Sequence, residues 1–238
     1  MQKTAPSVEI FVPVRDEEHF IKFFYDFYGK RLSNLTINFV DRGSIDRTVE
    51  ISRNLGINVI SEPEEFFSDL TNMNYKNSCW KSSTADFVII QDLDELIDVN
   101  DDFLSDPEVS AVQAEAWDMI GEGQKIADIT KGVRLPFYDK IMVFRTKDFS
   151  AINFKPGAHV CRPIYNVSNP VFRTARMYHY NRLSLEFVLE KYARRRKLLS
   201  QENLENQWGY QYLFSEEKLR AEHQSLLSES QNIFESKN

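Results

Sequence analysis

Gln91-Asp92-Leu93-Asp94-Glu95 is the segment of this 238-residue chain best equipped for chemistry. It directly follows the apolar run Phe87 to Ile90, which reads as a buried strand. In extended backbone, residues two apart share a face, so Asp92 and Asp94 can converge. Paired carboxylates at a strand's end make a hard oxygen site for Mg2+ or Mn2+, and such an ion would neutralise a diphosphate. The plainer reading is a solvated acidic turn, because residues 92–106 hold seven acidic side chains and no Lys or Arg. A bare D-x-D often arises by chance. Its place after a buried strand gives it weight.

The second such segment is Asp41-Arg42-Gly43-Ser44-Ile45-Asp46-Arg47-Thr48. Asp46 suits a helix N-cap and Gly43 a turn, which accounts for half the pattern without any function. Asp41 is different: it ends the apolar run Leu35 to Val40, where its carboxylate can accept hydrogen bonds from a base or ribose.

The elements that must position these groups alternate. Strands are expected at Val8 to Val14, Leu35 to Val40, Asn58 to Ile60 and Phe87 to Ile90. Helices are expected at about Glu17 to Tyr28, Asp46 to Leu55 (closed by Gly56) and Phe67 to Lys81. That alternation indicates an α/β sheet, mostly parallel and covered on both faces, with ligands bound beyond the carboxyl ends of its strands. Further strands read at Val109 to Trp117, Lys140 to Arg145 and Arg176 to Tyr180, and from Ser184 the pattern is helical to the end. No linker or repeat divides the chain, so one domain with a helical C-terminal extension is expected. Its amphipathic stretch Glu216 to Phe234 has a polar face of mixed sign, which suits a packed or partner-binding helix better than a membrane anchor.

With 42% hydrophobic and 27% charged residues, the composition is that of a globular protein. The net charge of −7 argues against a nucleic-acid coat. Cys79 and Cys161 are too few for a disulfide framework, so a reducing, cytoplasmic setting is the simpler expectation, with one bridge left open. Residues 1–6 lack a signal-peptide layout, and no apolar run reaches the roughly 20 residues of a membrane span. Membrane contact, if any, is expected to be peripheral.

Asp41 to Thr48 resembles the D-D-G-S-T-D-G-T signature of family-two glycosyltransferases, which have the GT-A fold. Val12-Pro13-Val14-Arg15-Asp16-Glu17-Glu18 resembles that family's opening strand and nucleotide-binding turn. Lys76-Asn77, then Ala85-Asp86, then Asp92 resembles its R-N … G-E … D-x-D run in order and interval. The resemblance covers roughly residues 7 to 98. It implies a Rossmann-like catalytic domain over residues 1–183, with a nucleotide-binding half to about residue 98 and an acceptor half beyond, followed by the extension over 184–238. The implied activity is metal-dependent transfer of a sugar, by default from a UDP-sugar, to an acceptor hydroxyl, with inversion, in glycan or polysaccharide biosynthesis. The implied partners are that donor and a glycan or lipid-linked acceptor. By residue, Pro13, Val14, Arg15, Asp16 and Asp41 would hold the nucleoside, Asn77 and Arg182 would add donor contacts, Asp92 would lie near the ribose, and Asp94 and Asp92 would face the metal.

The chain departs from the family downstream. No E-D pair stands between Phe144 and Arg182 to supply the base, and the Q-x-x-R-W motif of processive synthases is absent, which favours single additions. Pro156-Gly157-Ala158-His159 and Tyr178-His179-Tyr180-Asn181-Arg182-Leu183-Ser184 instead resemble the G-x-H and H-Y-x-x-R-S segments of a divergent branch carrying D-x-D-E. On that analogy His179 completes the metal site and His159 lines the donor or acceptor pocket. A hydrogen-bonded structural role is the alternative for both. Glu115 and Asp118 are the base candidates, with Asp139 weaker; a surface Glu on an edge strand is the alternative for Glu115. Trp117 either stacks on a sugar or fills core. Residues 155–200 carry ten Lys or Arg against Glu186 and Glu190. That leaves the remainder of the chain at −15 and offers a basic segment to a diphosphate, an anionic acceptor or anionic lipid. Two other readings stay open, a sugar nucleotidyltransferase and a degenerate nucleotide-sugar-binding module. The absence of glycine from Val12 to Glu18 speaks against the first, and the intact Asp92/Asp94 pair speaks mildly against the second.

Overall fold

The computed structural model describes residues 4–234. It is an α/β protein whose parallel half follows the expected alternation. Strand β1 (Val8–Val14) lies between β2 (Leu35–Asp41) and β4 (Phe87–Ile90), and β3 (Asn58–Ser61) extends the sheet beyond β2, all parallel. Helices α1 (Glu18–Gly29), α2 (Thr48–Asn54) and α3 (Asp69–Ser78) are the crossovers. β1 serves both faces of the sheet through its two-residue period. Ile10 and Val12 join Phe20, Ile21, Phe24 and Tyr28 of α1 in one apolar layer, while Phe11 joins Trp80, Val88, Ile90 and Phe144 in the other.

The second half continues the sheet with mixed strand directions. β8 (Lys140–Arg145) runs antiparallel to β4 and to β6 (Val109–Ile120). β7 (Lys131–Arg134) pairs antiparallel with the far end of β6, and β11 (Val171–Arg182) pairs parallel along its other edge. β6 is therefore an interior strand, not an edge. β11 also pairs antiparallel with β5 (Glu95–Ile97), a three-residue strand hidden from the sequence inside the acidic run. A short helix, α4 (Asp101–Leu104), links β5 to β6, and β9 (Phe149–Ala151) and β10 (Ile164–Tyr165) form a separate two-stranded ribbon.

Helices α5 (Leu185–Leu198), α6 (Gln201–Glu205) and α7 (Glu216–Glu229) follow β11. The expectation of helix to the end is corrected beyond Glu229, where β12 (Gln231–Asn232) pairs antiparallel with β7. The physical cause is burial: Ile233 is 6% exposed beside Gly132, and its N–H donates to Thr130 O at 3.0 Å. Cys79 and Cys161 are free thiols. Among the described residues, no helix is long and apolar enough to cross a membrane.

Candidate active site

Three strand ends of the parallel half, after Val14, Asp41 and Ile90, lie at one edge of the sheet. Hydrogen bonds knit the first two turns together. Asp16, at φ 55°, accepts from Ile45 N at 2.8 Å and donates its own N–H to Ser44 Oγ. Asp41 accepts from Ser44 N at 3.0 Å, and Thr48 Oγ1 accepts from Glu17 N at 2.7 Å. The third turn is set from beneath by Tyr28, whose buried hydroxyl donates to Gln91 Oε1 at 2.7 Å and accepts from Ile97 N at 3.0 Å. That clamp fixes both ends of the segment carrying Asp92 and Asp94.

These turns open onto a cavity of about 540 Å³, within the size range of small-molecule sites. Pro13, Val14, Arg15, Asp92, Asp94, His159, His179 and Arg182 all line it. Asp16 and Asp41 do not: both are buried, and their carboxylates are spent on the Ser44–Ile45 backbone. Asn77 is also outside the lining. Its amide accepts from Phe154 N at 2.7 Å and donates to Phe154 O at 3.1 Å, which pins the loop bearing His159 to α3. Glu115 is half-buried on β6, in register with Arg176, and does not line the cavity. Asp139 is held by Arg134 at 2.6 Å, outside the lining.

Asp118 lies behind the cavity wall at 1% exposure. Its Oδ1 stands 3.0 Å from His179 Nδ1 and its Oδ2 accepts from Arg182 Nε at 3.2 Å. Buried between His179 and Arg182 and outside the cavity lining, it is not placed to take a proton from a ligand. His179 Nε2 in turn stands 4.0 Å from Asp94 Oδ2. A carboxylate on one imidazole nitrogen with the other aimed at a second carboxylate is the arrangement of a metal-ligating histidine. Burial disfavours the His179 imidazolium, yet Asp118 and Asp94 outweigh it and raise its pKa.

Basic side chains that the sequence offered only as members of a motif or of the basic segment complete the wall. Lys76 donates to Asp92 Oδ1 at 2.8 Å, and Lys191 of α5 donates to Asp94 Oδ2 at 2.7 Å. Arg195, one turn after Lys191, pairs with Glu17 at 3.4 Å. Burial opposes ionisation of Asp94, but Lys191 and His179 hold its carboxyl well below the ordinary range. Glu95, also in the lining, accepts from Lys140 Nζ at 2.6 Å, with each side chain 3% exposed. Residue spacing signals only part of this set: Lys191 and Arg195 fall at i and i+4, one face of a helix.

Part of the cavity wall is aromatic. The imidazole of His159 packs against Phe137 and Tyr138, with ring centroids 5.3 and 5.2 Å away. Burial, reinforced by the Lys140 ammonium, pushes His159 down to about 4, so the ring is neutral at pH 7. The unfolded chain therefore takes up this proton at higher pH than the folded one. The stabilisation is complete above the ordinary value of 6.5 and is lost as pH falls toward and through about 4. Urea unfolding between pH 7 and pH 4 should show a flatter stability loss in His159→Gln than in the wild type. Equal slopes would remove His159 from the acid response.

The residues present suit a divalent ion through two protein donors, Asp94 Oδ2 and His179 Nε2, the second already oriented by Asp118. Among the described residues no set of three or more His, Cys, Asp or Glu side chains converges on one ion. The remaining ligands would have to come from bound substrate or water.

No family model matches this sequence, and no curated protein matches it. Among solved structures it is similar to S. aureus TarS 1-349, with 17% identity, a TM-score of 0.45, and coverage of 78% of this chain and 63% of that one. It is also similar to the mannosyltransferase PcManGT from Pyrobaculum calidifontis, solved with GDP-Man and Mn2+ (14% identity, TM-score 0.46, 95% and 75% coverage). A third is glucosyl-3-phosphoglycerate synthase from Mycobacterium tuberculosis, with 13% identity, a TM-score of 0.45, and 79% and 80% coverage. The chain spans less than two thirds of the two TarS chains it matches first, 63% of one and 38% of the other.

Proposed function

We propose that this chain is a glycosyltransferase of the GT-A type that moves a sugar from a nucleotide sugar, by default a UDP-sugar, to an acceptor hydroxyl, one addition at a time and with inversion. The observation that carries the reading is the meeting of Asp92 and Asp94 with His179 in one cavity at the carboxyl edge of the parallel strands. The four ordered sequence motifs over residues 7 to 98 support it. Ligands of open α/β sheets bind at that edge.

Pro13, Val14 and Arg15 form the nucleoside side of the cavity, and Asp92, whose side chain is 43% exposed, reaches the ribose. Asp16 and Asp41 act by holding that turn in shape. Asp94 and His179 would hold Mn2+ or Mg2+, which supplies positive charge beside the departing diphosphate. Lys76 and Arg182 add fixed positive charge to the same wall. As the acceptor hydroxyl oxygen bonds to the anomeric carbon and the bond to the diphosphate breaks, its proton passes to a base; His159, neutral and inside the cavity, lines the acceptor or donor pocket. Asp118 is a positioning residue for His179. The aromatic wall around Phe137 and Tyr138 accommodates the acceptor, with a glycan or lipid-linked glycan as its expected class.

A thermal-shift panel of UDP-, GDP- and other nucleotide sugars, each with and without Mn2+, tests the reading. A native-state ligand at 100 times its Kd stabilises by about 2.7 kcal/mol, so the preferred donor should stand out, and more so with metal. Free nucleotide should then accumulate when a suitable acceptor is added. Binding without transfer or hydrolysis across a broad acceptor set would favour a nucleotide-sugar-binding module, and no shift with any donor would sink both readings.

A further inference from the structure

Lys191 stands on the oxygen that a bridging cation needs. Its ammonium donates to Asp94 Oδ2 at 2.7 Å and to Asn181 Oδ1 at 2.9 Å, and the side chain is 7% exposed. The same Asp94 oxygen is the one facing His179 Nε2 at 4.0 Å. A divalent ion shared by Asp94 and His179 would press against that ammonium, and like charges in a poorly hydrated pocket repel strongly. The other cations of the wall are also engaged: Lys76 by Asp92, Arg195 by Glu17, Arg182 by Asp118 and Glu222, Arg42 by Glu62 and Glu64, and Arg15 by the Glu64 carbonyl. None of them sits on the bridging oxygen. Lys191 alone has both the wrong place for a metal-loaded site and the means to leave it. A lysine is a compact charge on a flexible stem, and this one opens onto the cavity.

We propose that Lys191 is an exchangeable counter-cation: it holds Asp94 in the free protein and passes to a diphosphate oxygen of the donor when a divalent ion takes Asp94. Metal and nucleoside diphosphate then bind as a coupled pair, because each vacates or fills a place the other requires. The coupling is reciprocal, so each ligand tightens the other by the same factor. This inference rests on the glycosyltransferase reading for the identity of the diphosphate.

Mn2+ binding, followed by loss of the free-ion paramagnetic resonance signal with and without UDP, tests the exchange. In the wild type UDP should tighten Mn2+ by about tenfold or more, within the usual span of coupling energies. Lys191→Met should bind Mn2+ alone about tenfold more tightly than the wild type, with the UDP effect largely gone. Arg195→Met removes an equal charge one helical turn away without touching Asp94, and should change Mn2+ affinity much less. Equal Mn2+ affinity in wild type and Lys191→Met, or an equal gain in Arg195→Met, overturns the proposal. Should Lys191→Met fail to fold, a wild-type structure with Mn2+ and UDP decides. Lys191 within hydrogen-bond reach of the diphosphate supports the exchange, and Lys191 still on Asp94 beside the metal overturns it. If UDP does bind but without coupling, only the exchange falls. If the wild type binds no nucleotide in the thermal-shift panel, the glycosyltransferase reading falls with it.

Discussion

Asp94→Asn is expected to lower sugar transfer roughly 10³-fold, the scale seen when a well-placed charge-stabilising group is removed from an active site. Asparagine keeps the shape of Asp94 and can still accept from Lys191, whose second partner, Asn181 Oδ1 at 2.9 Å, is untouched. The fold should therefore survive, and a circular-dichroism melt should confirm it. What is lost is the anionic oxygen facing His179. Turnover should become insensitive to added Mn2+, while nucleoside binding at the proposed subsite of Pro13, Val14 and Arg15 should persist. Steady-state kinetics should show the loss mainly in kcat. Turnover equal to the wild type's in a well-folded Asp94→Asn protein would be incompatible with the proposed site.

The largest effect on stability is expected at Glu95. Its carboxylate accepts from Lys140 Nζ at 2.6 Å and from Asp92 N at 3.2 Å, and it is 2% exposed. Removing one partner of a buried ion pair strands the other charge, at a cost of about 3–5 kcal/mol. Glu95→Ala should lose stability on that scale, because Lys140 would be left 5% exposed without a counter-ion. The double variant Glu95→Leu/Lys140→Met removes both charges and should recover most of the loss, since apolar replacement of a whole buried pair is often near neutral. Denaturant melts of the single and double variants check this contrast. A single variant within about 1 kcal/mol of the wild type would show that the pair is not desolvated as described. The double variant should also lower transfer, because the Asp92 backbone loses its anchor.

The parallel half was legible because its strands are short apolar runs bounded by turn residues. Val8 to Val14 and Phe87 to Ile90 admit few other readings, and both ends of each match within a residue. β5 was not legible, since Glu95–Ile97 is three residues long within an acidic stretch and owes its strand to pairing with β11. β12 likewise exists through its partner β7 and the burial of Ile233. In the site, Asp92 and Asp94 were visible from position alone. Their lysines were not assigned to them, because Lys191 lies 97 residues from Asp94 and only the packing of α5 brings the two together. Asp118 reads from the sequence as a candidate base, and spacing gives no sign that it is enclosed between His179 and Arg182.

β11 carries a consequence for how accurately the chain must assemble. His179, Asn181 and Arg182 line the cavity from this strand, while its Tyr178 and Tyr180 are buried in the core, where Tyr180 packs on Phe20 and Phe23. A slip of one residue against β6 would exchange the two faces, sending tyrosines toward the cavity and His179 into apolar surroundings. The same error would therefore break the core and disarm the site together. One register serves both the core and the cavity wall, and a misaligned chain would keep neither.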